Sequence, residues 1–402
     1  MQQRHSTSRA MRAGATTRGP VAALTATVAL GIAIFFSLYS FLPVTRPESP
    51  ELSSLFLGTM MAFVMGVQVF APVLVRKFTL RVVLGASVSL LGAGALATAL
   101  SSELLGLLVG AVAGGAGFGI LVVAGAQGVA LLVPPESLGR ALGLYGLITM
   151  AAAAVGAPAG VQLAVAFSPT AFGICALIVG VVGASLAFGV PIGIERKPEP
   201  VPATDADARD RVEGCERVIS APVHAVTPGV PWAVLVFLLL GVVMLSHGLT
   251  SLPALAAASV NPALLLFGVQ AANAVGRWLG GELDGRIPAS TTALTGAIAV
   301  VVGGTTGVLL AGTIPALSAA VLVGAGAGII QTVTLHTTMQ RMDAGRASVV
   351  WNLAVDGGLW AGGVLWGLAL AYGLVPVSVL SLSALVVVTG ALVAWAIRRR
   401  TV

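Results

Sequence analysis

Asp356 lies about 11 residues into the apolar run 345–371, or ~16 Å along a helix at 1.5 Å per residue. A run of that length spans the hydrocarbon core of a bilayer, which places Asp356 near the midplane. A carboxylate there costs ~2.5–3.5 kcal/mol on insertion scales, so it faces a cavity or a partner. Two readings are open. Asp356 is a proton-coupling or cation-binding group, or it is a structural carboxylate hydrogen-bonded within a helix bundle. Asn352 sits one turn earlier on the same face and is placed to orient it. His247, in the apolar run 231–255, is a second proton-relay candidate, because imidazole titrates near neutral pH; packing beside Ser246 and Gly248 is the competing role. His336 is assigned a structural or gate role. Gln331, Asn273, Gln270, Gln127 and Gln162 are amides inside apolar runs, and each either lines a cavity or bonds between helices. No His-x-x-x-His pair, Walker sequence, cysteine cluster or Gly-x-Ser-x-Gly elbow occurs. The sequence therefore offers no enzyme site, no metal site and no implied cofactor.

The elements that must hold these residues follow from composition. Of 402 residues, 57% are hydrophobic and 9% charged, with a mean hydropathy of +1.00. Soluble domains carry about 25% charged residues, so lipid must cover much of this surface. Twelve spans are expected: 21–43, 52–75, 80–100, 104–132, 139–167, 170–194, 231–255, 261–283, 290–312, 314–340, 345–371 and 375–397. The first is read as a retained span, since it lacks a clear small-residue cleavage site. Segment 195–229, rich in proline and in charges of both signs, is expected to be a cytoplasmic linker. It separates 1–194 from 230–402. With both termini inside, 20 of the 21 Lys and Arg residues fall on the cytoplasmic side, and Arg46 alone falls outside. The net charge of +6 is thus orientation charge in short clusters, not a nucleic-acid face. Cys175 and Cys215 fall in a span and in the linker, so no disulfide is expected.

The two halves are alike. Gly139-Arg140-Ala141 between spans four and five matches Gly345-Arg346-Ala347 between spans ten and eleven. Gly115, Gly117 and Gly119 match Gly324, Gly326 and Gly328. Parallel six-helix repeats mark one large transporter architecture. Together with Arg76 through Arg81, Gly276-Arg277 through Arg286, Pro134-Pro-Glu-Ser-Leu-Gly-Arg140 and Trp351 through Gly358, the pattern resembles the major facilitator superfamily over nearly the whole chain. The loop after span two departs from that family's pattern, with Val75 and Phe78 where Asp and Gly are usual. Span four has Ala111 where drug antiporters often carry Arg.

The resemblance implies an all-α membrane fold of twelve helices in two pseudo-symmetric six-helix bundles, working by alternating access. It gives Gln331 and Asn273 first rank among the cavity amides, with Asn352, Gln127 and Gln162 behind them. Arg76, Arg81, Arg140, Arg277, Asp284, Arg286 and Arg346 become cytoplasmic gate residues or plain orientation charges. The expected partners are a small-molecule substrate, protons and the lipid bilayer of a bacterial inner membrane, with the protein a monomer. A proton-coupled exporter of small apolar or amphiphilic compounds is the preferred reading, because no Arg or Lys falls clearly at mid-depth. A proton-coupled uptake symporter for a small metabolite comes second, and a non-transporting receptor or scaffold third.

Overall fold

The computed structural model describes residues 2–46, 50–193, 231–256, 259–260, 262–311 and 313–398. The linker expected over 195–229 lies outside the described residues, as does Cys215. The first half consists of α1 (Gln2–Thr45), α2 (Pro50–Gln68), α3 (Ala71–Phe78), α4 (Leu80–Leu100), α5 (Leu104–Leu132), α6 (Leu138–Ala166) and α7 (Pro169–Ala187). The second consists of α8 (Trp232–Leu249), α9 (Ser251–Ala256), α10 (Pro262–Glu282), α11 (Ala289–Leu309), α12 (Ala316–Met339), α13 (Ala344–Ala371) and α14 (Val375–Arg398). Among the described residues, ten helices are long and apolar enough to cross a membrane, and the pair α2 and α3 adds an eleventh. The twelfth is α10, whose Gln270, Asn273, Arg277 and Glu282 dilute its hydropathy.

Two expected spans are broken, and proline accounts for both breaks. Pro72 has no N–H for the carbonyl of Gln68, four residues back, and the chain bends by 58° between α2 and α3. Pro253 likewise leaves the carbonyl of Leu249 without its donor, and α8 ends there. Pro158 sits inside α6, which continues past it.

The halves pack by the same scheme. In the first, α4 packs on α5 and α7, α5 on α2, and α1 on α6; in the second, α11 packs on α12 and α14, α12 on α10, and α8 on α13. Glycine lets the backbones touch, as lipid-embedded helices require in the absence of a hydrophobic drive. A β-carbon on Gly94 of α4 would stand 2.6 Å from the Gly114 nitrogen, and one on Gly303 of α11 would stand 2.7 Å from the Val323 nitrogen. Large side chains such as Leu105, Phe167 and Leu309 point outward and are exposed, which is the surface that lipid covers.

The two bundles meet along two seams, α6 against α10 and α13 against α3 and α5. Arg76, Lys77, Arg81, Arg140, Arg286, Arg346 and Arg398 all lie at one end of the molecule, called here the basic end.

The repeat also reaches the backbone. Gly285 takes a positive φ of 74°, and Thr79, 206 residues earlier, takes φ 71° and ψ 149°. Only glycine adopts that region without strain, and the cost to another residue is of order 1–3 kcal/mol. Replacing Thr79→Gly is therefore expected to raise unfolding stability by about 1 kcal/mol, read as an increase in melting temperature of the detergent-purified protein.

Candidate functional site

The break at Pro72 leaves Gln68 at the last turn of α2, facing the other bundle. Its Nε2 donates to Oδ2 of Asp356 on α13 at 2.5 Å, a bond between residues 288 apart in sequence. Both side chains are buried, Asp356 at 8% exposure. No cation among the described residues lies within ion-pair distance of this carboxylate. An amide from one bundle thus holds a carboxylate from the other.

Asp356 lines a central cavity of about 110 Å³ between the bundles. The polar wall comprises Tyr145 and Thr149 from α6, Gln270, Asn273 and Arg277 from α10, Gln331 from α12, and Trp351 and Asn352 from α13. Apolar residues such as Ile32, Phe36, Phe118, Val122 and Leu245 form the rest. Asn352 spends one amide hydrogen on the Ser348 carbonyl at 2.8 Å, and Asn273 reaches the Gly324 carbonyl at 3.4 Å. Trp351 is fixed by its Nε1, which donates to Thr334 Oγ1 at 3.1 Å. Its ring lies under the Arg277 guanidinium, with Cζ 5.5 Å from the ring centroid. On the opposite seam Arg277 runs along Gly146, where a β-carbon would stand 2.9 Å from Cζ.

Between the cavity and the basic end the bundles close. A β-carbon on Gly281 would be 2.7 Å from both the Gly143 Cα and the Gly139 carbonyl, so α6 and α10 meet backbone to backbone. Arg140 Nε donates to Glu282 Oε1 at 2.7 Å across this seam, and Arg286 also reaches Glu282, at 3.4 Å. His336 Nδ1 lies 3.1 Å from Asp284 Oδ1 within the second bundle. On the other seam Gly345, at the start of α13, abuts Pro72 and Gln127. Asp343 caps that helix, accepting from the backbone N–H groups of Gly345 and Arg346 at 3.0 and 3.2 Å.

The sequence candidates therefore separate. Asp356, Asn352, Gln331, Asn273 and Gln270 share the cavity. Gln127 is buried at the α5–α13 seam, and Gln162 is exposed on the outside of α6. His247 lies behind the cavity wall, its Nδ1 2.5 Å from Ser251 Oγ and its ring 4.9 Å from Trp366. Arg140, Asp284 and Arg286 belong to the closed end. Arg81 lies over the Phe188 ring at 5.6 Å, and Arg76 and Arg346 are exposed. Arg277, grouped by sequence with the gate charges, lines the cavity instead and is 5% exposed. Sequence reasoning misses Gln68 and Tyr145. The signal for Gln68 is an amide four residues before a proline inside an apolar span, where the helix must open a turn toward its neighbour.

Two six-helix bundles around a shared, largely apolar cavity with ionisable groups in its wall are the architecture of a membrane transporter. The chain belongs to the Major Facilitator Superfamily, whose profile matches residues 21–363. In fold it is similar to an E. coli fucose:proton symporter, FucP, in a single-residue variant, with a TM-score of 0.68 at 15% identity, covering 95% of this chain and 99% of that one. It is equally similar to FucP in an outward conformation, with a TM-score of 0.69 at 16% identity and the same coverage. No protein with a curated description matches the sequence.

Proposed function

We propose that this protein is a proton-coupled symporter of a small metabolite, with Asp356 as the proton-carrying group and the basic end facing the cytoplasm. The observation that carries the reading is the bond from Gln68 to Asp356 across the bundle seam. An ionised carboxylate makes a charge-assisted hydrogen bond, about twice as strong as a neutral one. Protonation of Asp356 weakens the α2–α13 contact and lowers the cost of moving the group through an apolar setting, so a proton biases the equilibrium between the two access states. The export reading rested on a cavity without a cation at depth. Arg277 in the cavity wall removes that ground, and symport takes first place.

Proteoliposomes with a pH dye in the lumen test the reading. External addition of small sugars, amines or monocarboxylates in turn is expected to acidify the lumen for one class, beyond the leak of protein-free vesicles. Solute entry with no accompanying proton, for every class, would exclude coupling.

A further inference from the structure

We propose that Arg277 is a substrate anchor and that the transported solute is a small, mostly apolar monocarboxylate, bound to the guanidinium while Asp356 holds the coupled proton; this substrate class rests on the transporter reading above. Arg277 is 5% exposed, lines the cavity, and has no carboxylate among the described residues within ion-pair distance. Its Nε is buried without a hydrogen-bond partner. Its neighbours include an aromatic face, Trp351, the bare backbone of Gly146, and Tyr145 in the same cavity wall. These hold a guanidinium in place but leave its planar fork of donors unfilled, and that fork matches a carboxylate in a two-point bond. A buried charge is retained where something pairs with it, and among the described residues no carboxylate stands within ion-pair distance of this one, Asp356 sharing the cavity without touching it.

The rest of the lining narrows the class. The ionisable side chains of the cavity wall are Tyr145, Arg277 and Asp356. With one cationic group, a second carboxylate on the solute would be left unpaired. The apolar residues Ile32, Phe36, Phe118, Val122 and Leu245 suit a hydrocarbon body better than a polyhydroxylated one. A cavity of about 110 Å³ limits that body to a few carbons or one ring.

The same charges explain why proton and anion travel together. An empty site with Arg277 cationic and Asp356 anionic is neutral. A site holding one carboxylate and one proton is neutral again. A site with only the proton carries +1, and a site with only the anion carries −1; both are disfavoured when the cavity is closed from water. Fully loaded and fully empty proteins reorient, and half-loaded ones stall. This is the logic of symport.

The test is ligand-induced thermal stabilisation of the purified full chain in detergent, using pyruvate, isobutyrate and benzoate, with isobutyramide and benzamide as neutral isosteres and succinate as the dianion. At least one monocarboxylate is expected to raise the melting temperature, with its amide and succinate inactive. Arg277→Gln should weaken its apparent Kd by ~100-fold, as loss of a buried charge partner does, and Arg277→Lys by ~10-fold, since the point charge survives without the fork. Stabilisation by amide and acid alike, unchanged affinity in Arg277→Gln, or no response to any monocarboxylate would overturn the assignment. A Gly146→Ala variant, which shifts the guanidinium but keeps its charge, guards against misfolding of the Arg277 variants and should weaken binding as well. Carboxylate binding without proton-linked uptake would sink the transport reading and leave the anion site standing. Proton-linked uptake of a neutral solute, undiminished in Arg277→Gln, would do the reverse.

Discussion

Asp356→Asn is expected to abolish proton-driven accumulation while leaving exchange intact. Asparagine has the shape of a neutral aspartic acid, and its carbonyl still accepts from Gln68 Nε2, so the seam survives as it stands with Asp356 protonated. What the variant lacks is a proton to release. One pH unit is worth ~1.4 kcal/mol per proton, so a one-to-one symporter under that gradient accumulates solute up to about tenfold. The variant should equilibrate at a ratio of about one. Counterflow, in which labelled solute exchanges against unlabelled solute with no net proton movement, should proceed within a few-fold of wild type. The measurement is solute content of proteoliposomes after a one-unit pH jump, beside counterflow in the same batch. Retained tenfold accumulation would make Asp356 a structural carboxylate. Loss of both activities would mean that Asp356 is needed for access itself rather than for coupling.

The sequence carried more of the fold than of the site, for physical reasons. Lipid demands long apolar runs, and Lys and Arg sort to one end, so the spans could be read from composition and charge. The two-fold repeat could be read from Gly115, Gly117 and Gly119 against Gly324, Gly326 and Gly328. In space these glycines do the same work, letting α5 and α12 lie against two neighbours each. The breaks at Pro72 and Pro253 were also legible in principle, because a missing N–H acts locally. Asp356 stood out because a mid-depth carboxylate is costly wherever it points.

Arg277 did not stand out. It lies five residues before Glu282 and near Arg286, so in one dimension it belongs to a charged loop. In three dimensions the helix continues to Glu282, and one and a half turns place Arg277 in the cavity wall while Glu282 meets Arg140 at the closed end. Which side of a helix faces the other bundle is decided by contacts between residues more than a hundred apart. Gln68 and Asp356 are such a pair, and no local pattern announces it.

The second large effect is expected at the closed end, where two devices hold the bundles together and their magnitudes differ. The Arg140–Glu282 pair is well formed at 2.7 Å, but Arg140 is 69% exposed. Ion pairs that open to water contribute ~0–1 kcal/mol. Arg140→Gln should therefore shift the balance between access states by less than about fivefold. The backbone contact of Gly281 with Gly143 and Gly139 is different in kind. Any side chain on Gly281 starts 2.7 Å from a carbonyl oxygen and from an α-carbon, and neither can move without moving its helix. Overpacking of this sort costs ~1–3 kcal/mol in a core that can relax, and more where backbone must shift. Gly281→Val should thus depopulate the state closed at the basic end by ~10- to 100-fold, opening the cavity toward that side, and slow transport by a similar factor. The check is the rate at which a membrane-impermeant thiol reagent, applied from the basic side, labels a cysteine substituted for Gln331 in a Cys-free background. Faster labelling in Gly281→Val, with little change in Arg140→Gln, is the expected order. The opposite order would mean that charge, and not the close approach of two glycine-bearing helices, shuts this end of the transporter.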